Sequence, residues 1–326
     1  MSHAIALDVG GTTTTLGFIH EENQTIDYAV TVDTEPGLEK FPFFLRNLVK
    51  KHVKLAGEDR ILTRPMLYVG LPGNFEPGSD IRPSFGSARQ LILKNEEFQT
   101  ESITDWLMQH FPKGMGLFGV NDALAQAVGA MRAQWCDDFK GKVMVYLGPG
   151  TGLGGAILKL GDDPNTFEVI TDGHLYDICV TIRGQKCMAE DVLSGRGIFE
   201  QSGVVAKDLS ERDDCWNQHP GIVDDCSGVA IQIINDIQHQ RVTKTHHRNQ
   251  WLQTDMARIS DVGVIMLGGS IGTQGRLGAH IARQLSNAFS IPVCQSSNPS
   301  QHALLGVLAL ARHTKKSTQS NDAFRE

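Results

Sequence analysis

The stretch Ala4-Ile5-Ala6-Leu7-Asp8-Val9-Gly10-Gly11-Thr12-Thr13-Thr14 runs an apolar segment straight into a glycine turn. A short apolar run closed by glycine reads as a buried strand entering a tight turn. The pattern recurs. Val143-Met144-Val145-Tyr146-Leu147 leads into Gly148-Pro149-Gly150-Thr151-Gly152-Leu153-Gly154-Gly155, and Val262–Leu267 leads into Gly268-Gly269-Ser270. Further strands are expected at Leu16–Ile19, Met66–Leu71 and Ala156–Leu160. Helical spacing of apolar residues marks Lys40–Leu55, Asp122–Ala133, Val229–Ile237 and Leu277–Phe289. Strands alternating with helices give an α/β chain with mostly buried sheets. Because the first two turns each join a strand to a strand, the sequence predicts two related halves, each with its own hairpin.

The composition of these hairpins suits a phosphate chain. Glycines let backbone N–H groups approach oxygen without a Cβ in the way. The hydroxyls of Thr12, Thr13 and Thr151 add donors, and Asp8 at a strand end can hold a hydrated Mg²⁺. A glycine hairpin with no ligand is the plain alternative for either turn alone. Two such turns favour phosphate binding through Gly10, Gly11, Gly150 and Gly152. Neither is a P-loop, since Gly-x₄-Gly-Lys-Ser/Thr is absent. Neither is a dinucleotide fingerprint, since Gly152-Leu153-Gly154 opens a strand rather than a helix.

Composition narrows the class further. The chain has 326 residues, 40% of them hydrophobic and 21% charged, with a net charge of −7. That is a folded globular composition without a basic footprint for nucleic acid. The six cysteines include no CxxC pair, so reduced thiols are expected. The first residues lack a basic segment and an apolar signal core, and no run approaches the ~18 apolar residues of a spanning helix. A cytoplasmic protein with no membrane partner is expected. Gly203–His219 reads as a surface loop or short helix, His239–His247 as a solvated connection, and 315–326 as a loose tail.

Asn121-Asp122 closes a strand over Gly116–Val120 and opens a helical stretch. Asp122 there suits a helix cap, and it equally suits a carboxylate that accepts a proton from an attacking hydroxyl.

Together, Asp8-Val-Gly-Gly-Thr12, Gly119-Val-Asn-Asp-Ala123, Gly150-Thr-Gly-Leu-Gly154, Gly173-His174, Ala189-Glu-Asp-Val-Leu-Ser-Gly195 and Leu267-Gly-Gly269 resemble the ROK and bacterial glucokinase families of the sugar kinase–actin–Hsp70 superfamily. The resemblance spans Ile5 to about Ala311. It implies a two-lobed actin-like ATPase (ribonuclease H-like) fold with a central interlobe cleft. One lobe would comprise 1–120 plus about 300–314, the other 121–299. The implied activity is ATP-dependent phosphorylation of a hydroxyl on a sugar or sugar derivative, with ATP and Mg²⁺ as cofactors. Asp122 would be the general base and Asn121 a substrate ligand. Gly268 and Gly269 would lie beside the adenosine, and a homodimer is left open.

The chain departs from the family at the substrate. Where the family has Glu-x-Gly-His, this sequence has Thr171-Asp172-Gly173-His174. Asp172 could replace the missing glutamate, beside His174 and Glu190. Glu190 alone could equally be a first-turn helix acid. The family's cysteine-rich zinc loop is mostly absent around Cys179 and Cys187, so structural zinc is not expected. Leu71-Pro72-Gly73 matches a family turn, and Arg82, Ser84 and Arg89 are candidate substrate contacts. Two rivals remain. One is a sugar sensor without turnover, although no helix-turn-helix segment precedes Met1; the other is a kinase of a non-sugar alcohol.

Overall fold

The computed structural model describes residues 3–20, 22–35, 40–56, 66–72, 107–111, 115–172, 175–239, 262–273 and 275–322. Gly73, Arg82, Ser84, Arg89, Gly173, His174 and most of His239–His247 lie outside the described residues. The chain divides into two units, Met1–Gly129 with Ser300–Glu326, and Ala130–Pro299.

The first unit holds strands β1 (His3–Val9), β2 (Thr13–His20), β3 (Thr25–Asp33), β4 (Met66–Leu71) and β5 (Gly116–Asn121). They form a sheet in the order β3-β2-β1-β4-β5. The β1–β2 and β2–β3 pairs are antiparallel, whereas β1–β4 and β4–β5 are parallel. Alternation along β1 sends Ile5, Leu7 and Val9 to one face, where they pack with Phe41 and Leu45 of α1 (Lys40–Ala56). Ala4, Ala6 and Asp8 share the other face. That face belongs to α2 (Asp122–Ala133) and to the returning C-terminal helix Pro299–Asp322. The two helices meet backbone to backbone: a Cβ on Gly129 would lie within 1.8 Å of His302 O, and one on Gly306 within 1.8 Å of Ala125 O. Only glycine permits so close an approach.

This packing places Asn121–Gly129 with the first unit, whereas a boundary at residue 120 assigns them to the second. The strand they close is hydrogen-bonded into the first sheet, and contacts rather than chain order decide the grouping. The C-terminal helix spans Pro299–Asp322.

The second unit repeats the plan. Strands β6 (Val143–Pro149), β7 (Leu153–Leu160), β8 (Phe167–Asp172), β11 (Val262–Leu267) and β12 (Val293–Gln295) form a sheet in the order β12-β11-β6-β7-β8, while β9 (Cys179–Ile182) and β10 (Gln185–Met188) pair separately. Again the first three sequential strands are antiparallel and the next two parallel. β6, β7, β8, β11 and β12 therefore correspond one for one to β1 through β5. Helices α3 (Gly195–Ser202), α4 (Ala206–Glu211), α5 (Asp213–Gln218) and α6 (Pro220–Gln238) follow β10. Then α7 (Gly269–Thr273) and α8 (Gly275–Ala288) follow β11. Gly203–His219 is thus largely two short helices. The core joins Val143, Val145 and Leu147 to Ile233, Ile234, Leu277 and Ile281.

Candidate active site

The parallel strands of the first sheet set the geometry of its half-site. Asp8 on β1 is level with Gly70 on β4, and Gly70 with Val120 on β5. Asp8 and Asn121 therefore lie at the same carboxyl edge, where ligands of open α/β sheets bind. With one strand between them, their backbones stand about 10 Å apart, twice the interstrand spacing.

Asn121, not Asp122, caps α2. Its Oδ1 accepts the Leu124 N–H at 2.9 Å, the usual N3 donor of an N-cap. Asp122 becomes the first helical residue, and its Oδ1 accepts the neighbouring Ala123 N–H at 2.9 Å. It is half-buried, and burial pushes its carboxyl up to about 6 against hydrogen bonds from the Ala123 N–H and its own backbone N–H. Asp8 is 6% exposed. Burial first, then the Asp122 charge, hold it well above the usual carboxylate range, opposed by hydrogen bonds from Gln126 and Ser300. Its Oδ1 is buried with no hydrogen-bond partner among the described residues.

Beside Asp8 the first turn closes tightly, with the Gly10 N–H donating to Thr13 O at 2.9 Å. Thr12 and Thr13 are exposed at its tip.

In the second unit the equivalent turn closes with the Gly150 N–H on Gly152 O at 2.8 Å. Its support comes from the segment Ala189–Gly195. The Gly195 N–H donates to Gly150 O at 2.7 Å and the Arg196 N–H to Thr151 O at 3.3 Å. Glu190 is part of this buttress: its Oε2 accepts the Leu153 N–H at 3.2 Å, and Oε1 accepts from Arg196. Burial raises its pKa, while the Leu153 N–H and Arg196 act against the shift. Ser194 ties the segment together, donating to Glu190 O at 2.6 Å and capping Gly197 N at 2.9 Å.

Gly268 and Gly269 are both buried, and packing alone demands glycine there. A Cβ on Gly268 would overlap the Tyr146 hydroxyl, and Gly269 has φ +63° against Pro149 O. The exposed residue is the next one, Ser270. Its hydroxyl lies 3.7 Å, and its N 3.8 Å, from where a Gly150 Cβ would stand. Ser270 was not singled out from the sequence, although its place after the glycine pair was a usable signal. Thr171 on β8 is 1% exposed, with a buried hydroxyl that has no partner among the described residues. The backbone of Asp172 ends β8. Among the described residues no group of three or more His, Cys, Asp or Glu could hold a metal ion, and no helix is long and apolar enough to cross a membrane.

The architecture has many solved counterparts. The ROK hexokinase of Thermus thermophilus matches with a TM-score of 0.62 over 95% of this chain and 97% of its own, at 19% identity. The chain has the actin-like ATPase fold. A ROK family glucokinase of Streptomyces griseus, solved with glucose and AMPPNP, matches at 0.61 and 19% identity over 96% and 100%. A ROK family transcriptional regulator, homologous to the E. coli MLC protein, matches at 0.51 and 15% identity over 95% and 80%. No protein-family model matches the chain, and no curated protein matches it. The likeness read from the motifs therefore holds at the level of fold.

Proposed function

We propose that the chain is a ROK-type kinase that transfers a phosphoryl group from ATP to a hydroxyl of a sugar or sugar derivative. One observation carries the reading: two carboxylates, Asp8 and Asp122, stand at one sheet edge beside a tight glycine turn, both with raised pKa values. A surface cap would be exposed, whereas Asp122 is half-buried and its capping duty is taken over by Asn121.

In this reading Asp122 orients the attacking hydroxyl and accepts its proton. A pKa of about 6 leaves it ionised at neutral pH yet basic enough to take a proton in the transition state. Each unit contributes a turn whose backbone donors suit phosphate, Gly10–Thr13 in the first and Gly150–Gly152 in the second, and Gly268 and Gly269 would lie beside the adenosine.

The donor set fits magnesium. A buried carboxylate oxygen without a hydrogen-bond partner among the described residues, next to a second carboxylate, suits a cation that keeps most of its waters. Asp8 would hold it through water, where it would neutralise phosphate charge as the bond to the γ-phosphorus changes hands.

Asn121, Asp172, His174 and Glu190 remain the proposed substrate ligands. Glu190 already accepts from Leu153 on one oxygen and from Arg196 on the other, so a substrate hydroxyl would share it with the turn. Thr171 in place of a glutamate points away from glucose as the preferred sugar. A solved counterpart of this fold is a transcriptional regulator, which favours keeping a second reading, sugar binding without turnover. Measuring MgATP binding together with sugar-dependent ADP release separates the two: a kinase shows both, a sensor releases no ADP.

A further inference from the structure

We infer that Thr34 is the positioning residue that sets the donor geometry of the first phosphate turn. The inference rests on reading Gly10–Thr13 as a nucleotide turn. Thr34 lies just beyond β3 and is 8% exposed. Its backbone N–H donates to Thr12 O at 2.8 Å, and its hydroxyl donates to Gly10 O at 2.9 Å across 24 residues of chain. The Thr14 hydroxyl lies 2.9 Å from the same Thr34 oxygen. A threonine hydroxyl carries one proton, and that of Thr34 is committed to Gly10. Thr14 is therefore the donor, and the bonds run Thr14 to Thr34 to Gly10.

Two carbonyls of the turn, Gly10 and Thr12, are thus drawn onto one side chain and its amide. In a trans peptide the following N–H points opposite to the carbonyl. Holding Gly10 O and Thr12 O toward Thr34 directs the N–H groups of Gly11 and Thr13 to the other side of the turn. Thr34 need not touch nucleotide; it fixes the two peptide planes whose donors do. Thr15 and Thr31 form a similar hydroxyl pair at 2.9 Å one residue along β2. That pair bonds to neither turn carbonyl, so it serves as an internal control.

The test compares Thr34→Val, Thr34→Ser and Thr15→Val in the full chain, with MgATP binding measured at equilibrium and amide exchange measured without ligand. Thr34→Val should weaken MgATP about tenfold, the scale of one hydrogen bond lost from the support of the turn. It should also speed exchange at Gly10 while leaving Gly150, held on Gly152 O, unchanged. Thr34→Ser should bind within about threefold of wild type, because it restores the hydroxyl, and Thr15→Val should bind as wild type does. If Thr34→Val fails to fold, Thr14→Val removes the donor to Thr34 and should still weaken MgATP binding. Wild-type MgATP affinity and Gly10 exchange in folded Thr34→Val would overturn the inference while leaving the nucleotide site standing. Failure of the wild-type chain to bind MgATP would overturn both.

Discussion

Asp122 raises the pKa of Asp8 beyond what burial does, across a single intervening strand of the first sheet. A buried carboxylate beside a half-buried one makes the folded state pay at neutral pH for what the chemistry needs. The consequence is measurable as stability. The Asp122 pKa is raised from 3.8 to about 6, so the folded state binds its proton more tightly than the unfolded state. The contribution is fully present below the unfolded value and is lost as pH rises through about 6. Asp8 acts in the same direction. Thermal unfolding of the ligand-free protein followed between pH 4 and 7 should show wild type losing ground relative to Asp122→Asn. Parallel curves would mean that Asp122 is solvated like a surface carboxylate.

The second expectation concerns the cation. If Asp8 holds magnesium through water, MgCl₂ added with ATP should stabilise wild type more than ATP alone, and more at pH 7.5 than at pH 5. Asp8→Asn should lose most of that increment, since an amide cannot supply the charge. An undiminished magnesium increment in Asp8→Asn would place the ion elsewhere.

Glu190 separates two roles by kinetics. Its carboxylate holds the Leu153 N–H and Arg196 beside the second turn, so Glu190→Gln should raise KM for ATP by about tenfold, the cost of roughly one charged hydrogen bond. KM for the sugar should change less. The opposite split would make Glu190 chiefly a substrate ligand, as the family likeness implies.

Thr171 carries a buried hydroxyl with no partner among the described residues. Valine has nearly the same shape and no polar atom to desolvate. Thr171→Val should therefore be at least as stable as wild type, by up to about 1 kcal/mol in denaturant unfolding. A loss of more than about 1 kcal/mol would reveal a partner for that hydroxyl.

Much of this fold could be read from local pattern. The two glycine hairpins and their flanking strands stand out because apolar runs ending in Asp-Val-Gly-Gly and Gly-Pro-Gly have few other structures open to them. The deeper repeat was less visible. β4 and β11 occupy equivalent places, yet one leads into Leu71-Pro72 and the other into Gly268-Gly269, whose glycines answer to Tyr146. Thr34 could not be read at all, because nothing near Thr34 in the chain shows that its hydroxyl reaches back to Gly10. Asn121 and Asp122 were ambiguous for a different reason: both residue types cap helices, and only the hydrogen bond to Leu124 decides between them.

The central claim is phosphoryl transfer to a sugar hydroxyl with Asp122 as base, and the most direct measurement is ADP release from MgATP across glucose, mannose, N-acetylated hexosamines, acidic sugars and polyols. Wild type and Asp122→Asn are assayed side by side, with MgATP binding measured for both. At least one sugar should stimulate ADP release, and glucose should not lead the series by ~10-fold or more. Asp122→Asn should lose at least ~10²-fold in turnover while still binding MgATP. Near-normal turnover in Asp122→Asn, or MgATP binding with no sugar in the panel raising ADP release, would contradict the claim.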